Sequence, residues 1–280
     1  MSILKLTPSC KDYLWGGSRL RTDFGVQSDL NPLAEAWVLS CHPDGPSYLP
    51  DGTMLADYLA AHPPGALRGA VIVGQEIFGV NSHIRAVTDR MATRGFLAIA
   101  PDLFARFTPR LDLGYSEADV AQGRRYKAQA EAMPDAILQQ VQASAQWALA
   151  QAPCKVGMVG FCWGGLVTWR AAAQVPELSA AVTYYGGGMT SQRERTRRPR
   201  CPVQAHFGRR DTIIPLQEVL AFAHATQAQA AHQPPVQTHI YEAEHGFNCD
   251  LRASYDHDSA IQAKDRTLLF FDQHLALPLP

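Results

Sequence analysis

A short apolar run that ends in a glycine-flanked turn constrains this chain more than any other feature. Residues 156–165 read VGMVGFCWGG, and a helix-forming segment follows them directly. Gly160, Cys162 and Gly164 have the spacing of a nucleophile elbow, with cysteine where serine is usual. Glycines flank a nucleophile because the turn is too tight, and its backbone too strained, for neighbouring side chains. The segment predicts a strand, a sharp turn that presents a reactive thiol, and a helix; the alternative is a buried structural cysteine.

The pattern of apolar segments extends this prediction to most of the chain. From about residue 69, apolar runs alternate with amphipathic segments, as in parallel β/α units. Strands are predicted at 70–73, 96–100, 155–160, 180–185, 203–208 and 237–241. Helices are predicted at 84–94, 117–150 with a break near Pro134, 165–174, 216–231 and 259–274. Strands this apolar fit a mostly parallel sheet with helices on both faces, which indicates an α/β-hydrolase fold.

Composition excludes several kinds of partner. The chain has 280 residues and a net charge of −1, which argues against nucleic acid or an anionic membrane surface as a partner. The first residues do not resemble a signal peptide and no stretch is apolar enough to span a bilayer, so we expect a cytoplasmic protein. The six cysteines show no zinc-type spacing, so we expect mostly free thiols and no metal site.

Two downstream residues complete the chemistry that a nucleophilic cysteine needs. The cysteine requires a base, and the base requires an acid that orients it. In this fold the acid and then the histidine follow the nucleophile along the chain. Asp211 lies in the loop after one predicted strand, and His245 lies in the loop after the next. We therefore predict that Cys162, Asp211 and His245 form a catalytic triad, whereas His206, inside a strand, is predicted to be a core residue.

The loop after the first predicted strand adds an acid and a hydrogen-bond donor. A carboxylate beside an apolar strand end is costly to bury alone, so Glu76 is expected near Cys162, where it would influence ionisation of the thiol. The alternative is a solvent-facing loop glutamate. An acyl-transfer oxyanion needs preorganised N–H donors. The expected donors are the backbone amides of Ile77 and Trp163.

These residues resemble the dienelactone hydrolase (carboxymethylenebutenolidase) family. The resemblance covers about residues 69–275, through the motifs QEIFGVN at 75–81, PDLFAR at 101–106, GFCWGG at 160–165, YYG at 184–186 and HGF at 245–247. It implies hydrolysis of a lactone or small ester, of the dienelactone-to-maleylacetate type, without a metal or organic cofactor. The alternatives are a general thiol esterase with another substrate and a hydrolase-like scaffold without turnover. Apart from the small-molecule substrate no partner is expected, and we expect a monomer.

The same resemblance suggests roles for residues around the triad. It implies that Glu76 engages the thiol and helps to convert it to a thiolate when substrate binds. Arg106 matches an arginine that holds the substrate carboxylate in this family. The family's second such arginine follows the catalytic histidine by four residues, a position that Cys249 occupies here. Arg252 is the candidate replacement for this arginine, but the sequence spacing does not decide whether it takes that role.

The first 47 residues resemble a different family. Segments KDYLWGG at 11–17 and EAWVLSCHPDG at 35–45 are similar to the opening of a class of mannose-6-phosphate isomerases. The Gln-x-His-Pro segment of that family's metal site is missing from the sequence, so isomerase chemistry is not expected. We predict an N-terminal extension over 1–47, either packed or poorly ordered, and a hydrolase domain over 48–280. Asp51-Gly52 is predicted to form a hairpin turn at the start of that domain.

Overall fold

One sheet organises the chain in the computed structural model, which describes residues 37–40, 57–61, 67–231 and 233–276. Its strands in these residues are β1 (Trp37–Ser40), β2 (Asp57–Ala61), β3 (Ala70–Gly74), β4 (Leu97–Pro101), β5 (Val156–Phe161), β6 (Leu178–Tyr184), β7 (Val203–Gly208) and β8 (Val236–Tyr241). Their order in the sheet is β1-β2-β4-β3-β5-β6-β7-β8. The six strands predicted from the sequence are confirmed. Their observed ends differ from the predicted ends by at most two residues.

The sheet is mostly parallel, as predicted. β2 pairs antiparallel with both β1 and β4, and every other pair of neighbours is parallel. β3, β4, β5 and β7 are buried at every residue. Because successive side chains point to opposite faces, continuous burial means that both faces of these strands are covered. The architecture is that of an α/β-hydrolase.

The helices are α1 (Ser82–Thr93), α2 (Glu117–Glu131), α3 (Pro134–Gln151), α4 (Trp163–Gln174), α5 (Gln192–Arg195), α6 (Leu216–Ala228) and α7 (His257–Leu275). The break near Pro134 is confirmed, since α2 ends before it and α3 begins with it; proline is tolerated at a first helical position, where its missing N–H has no intrahelical partner. The one-turn α5 was not predicted. None of the described helices combines the length and apolarity needed to cross a membrane.

The first strand lies inside the predicted N-terminal extension. Trp37–Ser40 pairs with Asp57–Ala61 and so adds an antiparallel edge to the sheet. A hairpin with its turn at Asp51-Gly52 was predicted, but no strand was assigned to residues 37–40 or 57–61. The expected turn at Asp51-Gly52 and most of the isomerase-like segment lie outside the described residues, so the boundary at residues 47 and 48 and the isomerase resemblance stay predictions.

The end of β5 leaves no room for a side chain where α4 packs against it. A Cβ on Gly160 would lie 2.1 Å from the carbonyl oxygen of Gly164 and 2.2 Å from Oγ1 of Thr168. We expect Gly160→Ala to lower the free energy of unfolding by about 1–3 kcal/mol, measured by urea denaturation. Gly187→Ala is the matched control, because a Cβ there would meet no atom within 4 Å. Equal losses in the two variants would contradict this account.

Candidate active site

Cys162 occupies the turn between β5 and α4. Its φ of 51° and ψ of −115° place a non-glycine residue in a region that L-residues rarely adopt. Such strain costs on the order of 1–3 kcal/mol and is typical of functional sites. The turn also brings α4 against the end of β3, since a Cβ on Gly164 would lie 2.4 Å from the carbonyl oxygen of Gln75. The half-buried thiol is therefore held in one position by backbone on both sides.

The structure brings together the three residues predicted to form the triad. Nε2 of His245 lies 3.2 Å from Sγ of Cys162, and Nδ1 of the same ring lies 2.8 Å from Oδ2 of Asp211. The other oxygen of Asp211 accepts hydrogen bonds from the backbone N–H groups of Ile213 at 2.7 Å and Ile214 at 2.9 Å. The carboxylate is thus oriented by its own loop, and it orients the imidazole toward the thiol.

The charge state of His245 follows from its neighbours. Burial disfavours the charged ring, but the negative charge of Cys162 and the hydrogen bond to Asp211 outweigh burial and raise the pKa of His245 to about 10. The pair with Cys162 and Asp211 therefore favours the protonated imidazole. An imidazolium beside a sulfur atom favours the thiolate, which is the nucleophilic form of cysteine.

Glu76 is paired with Arg252. The glutamate is completely buried, which excludes the alternative of a solvent-facing residue. Its Oε1 accepts a hydrogen bond from Nη1 of Arg252 at 3.3 Å, and Oε2 has no hydrogen-bond partner among the described residues. Burial lowers the pKa of Arg252, but Glu76 together with Tyr185, Cys162 and Cys249 outweighs burial and raises it above its usual value. The pair joins a partly exposed arginine to a buried, partly satisfied carboxylate next to the loops that carry the predicted triad.

Arg252 is held by aromatic rings at the edge of an open cleft. Its guanidinium carbon lies 6.0 Å from the ring centre of Phe78 and 5.8 Å from that of Tyr115, and the two rings pack edge to face. Together with Glu244, Leu251, Ala253 and Ser254, Tyr115 and Arg252 line a cleft of about 520 Å³. The other predicted substrate arginine, Arg106, is exposed in the loop after β4. Its role stays a prediction.

The two backbone amides predicted to hold an oxyanion belong to segments that pack against each other. Ile77 lies in the loop after β3, and Trp163 is the first residue of α4, which approaches that loop at Gly164. Neither amide donates a hydrogen bond to any group in the part of the chain that is described. An amide without a partner at a helix N-terminus is free to bind an anion.

The side chain of Trp163 anchors this amide. Its indole Nε1–H donates to Oε1 of Glu131 at 2.8 Å, and its ring stacks on Phe104 with 4.9 Å between centroids. Glu131 also receives hydrogen bonds from Arg170, whose Nε donates to Glu194 at 3.0 Å. A partly buried ionic network between α2, α4 and α5 therefore fixes the first turn of α4.

Two tyrosines near the site were not predicted to take part in it. Tyr185 follows β6 with φ of 38°, its buried hydroxyl lacks a hydrogen-bond partner among the described residues, and its ring lies 5.1 Å from that of His245. Tyr115 has its hydroxyl 3.1 Å from Sγ of Cys249. Tyr185 belongs to the YYG motif and lies at the end of a predicted strand, so its position could have indicated a place at the site. No feature of the sequence pointed to Tyr115. His206 is buried and lies in β7, so its assignment to the core is confirmed.

Comparisons with protein families, with known proteins and with solved structures all point to the same family. Residues 56–275 match the sequence model of the Dienelactone hydrolase family. A Synechocystis sp. protein named "Putative carboxymethylenebutenolidase" is 36% identical over 236 residues, covering 79% of this chain and 92% of that protein. The Carboxymethylenebutenolidase of Pseudomonas putida is 29% identical over 215 residues, covering 76% of this chain and 89% of that enzyme. The crystal structure of a "Putative Dienelactone Hydrolase" from Klebsiella pneumoniae has a TM-score of 0.70 at 30% identity, covering 86% of this chain and 99% of that one.

The raised pKa of His245 is a property of the pair that it forms with Cys162. We expect the ring to titrate near pH 10 in the native protein and at clearly lower pH in Cys162→Ala, because that variant lacks the negative charge that favours the imidazolium. Ring nitrogen shifts followed by NMR across pH 5–11 measure both values. Cys201→Ala is the control: it removes a buried thiol just before the start of β7, whereas Asp211 follows the end of that strand. This variant should leave the titration unchanged. A midpoint near the ordinary value in the native protein would contradict this.

Proposed function

The chain belongs to the dienelactone hydrolase family, and from that premise we propose that it hydrolyses a lactone or small carboxylic ester through a thioester on Cys162. One observation carries the proposal: Sγ of Cys162, the imidazole of His245 and the carboxylate of Asp211 form one connected chain with separations of 3.2 and 2.8 Å. A thiol, a base and an orienting acid in this order are the requirements of nucleophilic acyl transfer.

The first half-reaction acylates the enzyme. The thiolate of Cys162 attacks the carbonyl carbon, and the electron pair of the C=O bond moves to oxygen. The amides of Ile77 and Trp163 donate hydrogen bonds to this oxyanion. As the carbonyl re-forms, the bond to the leaving oxygen breaks, and that oxygen takes the proton from Nε2 of His245. The products are a thioester and a neutral imidazole; with a lactone, the alcohol stays joined to the acyl group.

The second half-reaction releases the acid. Neutral His245 now accepts a proton from water at Nε2 while the water oxygen attacks the thioester carbon. Collapse of the second tetrahedral intermediate breaks the C–S bond and expels the thiolate. The imidazolium and the thiolate of Cys162 are thereby restored, and the carboxylic acid leaves and loses its proton to solvent. Water is the only second reactant, and no step requires a metal ion or an organic cofactor.

Arg252 and Glu76 connect substrate binding to this chemistry. A substrate with its own carboxylate would compete with Glu76 for the guanidinium of Arg252. A displaced Glu76, with one oxygen already lacking a partner, is then available to engage the thiol and help to convert it to the thiolate, which is the role that the family resemblance implies. The dienelactone class of substrate, which carries a carboxylate, fits this exchange.

A neutral ester is the second candidate substrate. Cys249 stands where the family has an arginine that binds the substrate carboxylate, and Arg252 is already engaged by Glu76. Fewer available positive charges favour a substrate without a carboxylate. Activity toward both classes therefore has to be compared in the same protein.

The nucleophile is tested with a dienelactone whose absorbance disappears on hydrolysis. We expect turnover by the native protein at pH 7 and a loss of at least about 1,000-fold in Cys162→Ala, because covalent catalysis is no longer possible. Cys201→Ala is the matched control, a buried thiol that should retain full activity. Turnover that persists in Cys162→Ala would refute the thiol mechanism, and a folded native protein without turnover would refute the dienelactone assignment.

The role of Arg252 is tested by measuring the Arg252→Gln variant on two substrates, one with a carboxylate and one without. Arg252→Gln keeps a hydrogen-bond donor for Glu76 but loses the charge. We expect kcat/KM for the carboxylate-bearing dienelactone to fall by about 10–100-fold, the worth of a charge-assisted hydrogen bond. For a neutral p-nitrophenyl ester we expect little change. Equal losses for both substrates would show that Arg252 supports the fold of the site and does not bind the carboxylate.

A further inference from the structure

A second group of reactive side chains lies beside the candidate active site and has no part in the proposed hydrolysis. His83 comes from the first turn of α1, and Cys249 and Asp250 come from the loop that follows His245. A ring nitrogen of His83, the sulfur of Cys249 and a carboxylate oxygen of Asp250 all lie within 4.8 Å of one another. Two segments that are far apart in the sequence thus converge on one point.

His83 is the unusual member of this group. Its side chain is completely shielded from solvent, and neither ring nitrogen makes a hydrogen bond in the described part of the chain. The ring packs edge-on against Phe161, with 5.9 Å between centroids. A buried polar group without a hydrogen bond is costly and is rare in folded proteins. Its Nδ1 faces Oδ1 of Asp250 at 3.5 Å, which directs the imidazole into the cluster.

The types and spacing of the donors match one class of ion. Thiolate, imidazole and carboxylate are the ligands of Zn²⁺, whereas Mg²⁺ and Ca²⁺ prefer oxygen alone. With zinc bonds of about 2.0–2.3 Å, tetrahedral donors stand about 3.3–3.6 Å apart. Nδ1 of His83 and Oδ1 of Asp250 are already in this range at 3.5 Å. All three donor atoms lie within 4.8 Å, at most about 1 Å beyond the spacing that zinc requires.

We propose that His83, Cys249 and Asp250 form a binding site for one Zn²⁺ ion, with the fourth coordination position open to water. The carboxylate of Asp250 is about half exposed, at 49%, so the ion has a path from solvent while the other two ligands stay buried. Three protein ligands and an open position are a coordination set that zinc commonly adopts.

Zinc binding at this site would change a contact of the active-site cleft. The sulfur of Cys249 lies 3.1 Å from the hydroxyl of Tyr115, and the ring of Tyr115 lies against Arg252. To bind zinc, the thiol of Cys249 gives its proton to solvent, and its sulfur turns from Tyr115 toward the ion. The ring of His83 also gives up a proton: burial lowers its pKa, but Asp250 and Cys249 outweigh burial and raise it to about 9. The tyrosine loses its sulfur neighbour, so an occupied site would alter the surroundings of Arg252.

The test uses Co²⁺, which takes zinc sites and gives a charge-transfer absorption when a thiolate is a ligand. Titrations are made in full-length Cys162→Ala, so that the thiol–imidazole pair of Cys162 and His245 cannot contribute to the signal. We expect one Co²⁺ per chain, a thiolate charge-transfer band, and displacement of Co²⁺ by Zn²⁺. Adding Cys249→Ser should abolish the band while keeping a hydroxyl for Tyr115, and adding Asp250→Asn should weaken binding by at least about tenfold.

Two further measurements separate loss of the site from loss of the fold. Zn²⁺ should raise the thermal unfolding midpoint of Cys162→Ala but not that of the protein that also carries Cys249→Ser. Adding Cys201→Ser instead, at a buried thiol next to the start of β7, should leave the band and the stabilisation unchanged. No saturable band in Cys162→Ala, or a band that survives Cys249→Ser, would overturn the proposal and leave His83 and Asp250 as an ion pair.

Discussion

The close backbone contact between the start of α4 and the ends of β3 and β5 is the constraint on which the rest of the site depends. Gly160 and Gly164 allow this approach, because a Cβ on either residue would overlap with backbone or side-chain atoms. The approach forces Cys162 into its strained conformation and brings the amide of Trp163 to the loop that carries Ile77. The position of the thiol and the expected oxyanion donors are thus results of the same contact.

The candidate site also requires that its charged side chains be paired with one another. Cys162, His245 and Asp211 form one charged group, and Glu76 with Arg252 forms another. Charges that are taken out of water are stable only when they are paired, and their mutual influence is stronger where water is excluded. The raised pKa of His245 is a direct consequence. Under the proposed function, a substrate carboxylate would change the balance between these pairs.

The sequence predicted the features that are local or periodic. The buried strands were recognisable because each is a short apolar run bounded by turns, and the break at Pro134 follows from the chemistry of proline. The order of the three triad residues, each after a strand, was also visible. β1 and β2 were not recognised because each has only four or five residues and precedes the regular alternation of strands and helices. The one-turn α5 is too short to show a repeating helical pattern.

Contacts between segments that are far apart in the sequence could not be predicted from local sequence patterns. Glu76 was recognised as an acid that needs a partner, but its pairing with Arg252, 176 residues away, depends on how the loops fold back over the sheet. The convergence of His83 with Cys249 and the orphaned hydroxyl of Tyr185 depend on the same packing. By itself, the sequence determined the strand pattern, the strained turn and the chemical types of the reactive groups, because these depend on neighbouring residues. Only the tertiary structure decided which charges meet, since side-chain partners are selected by distance in space.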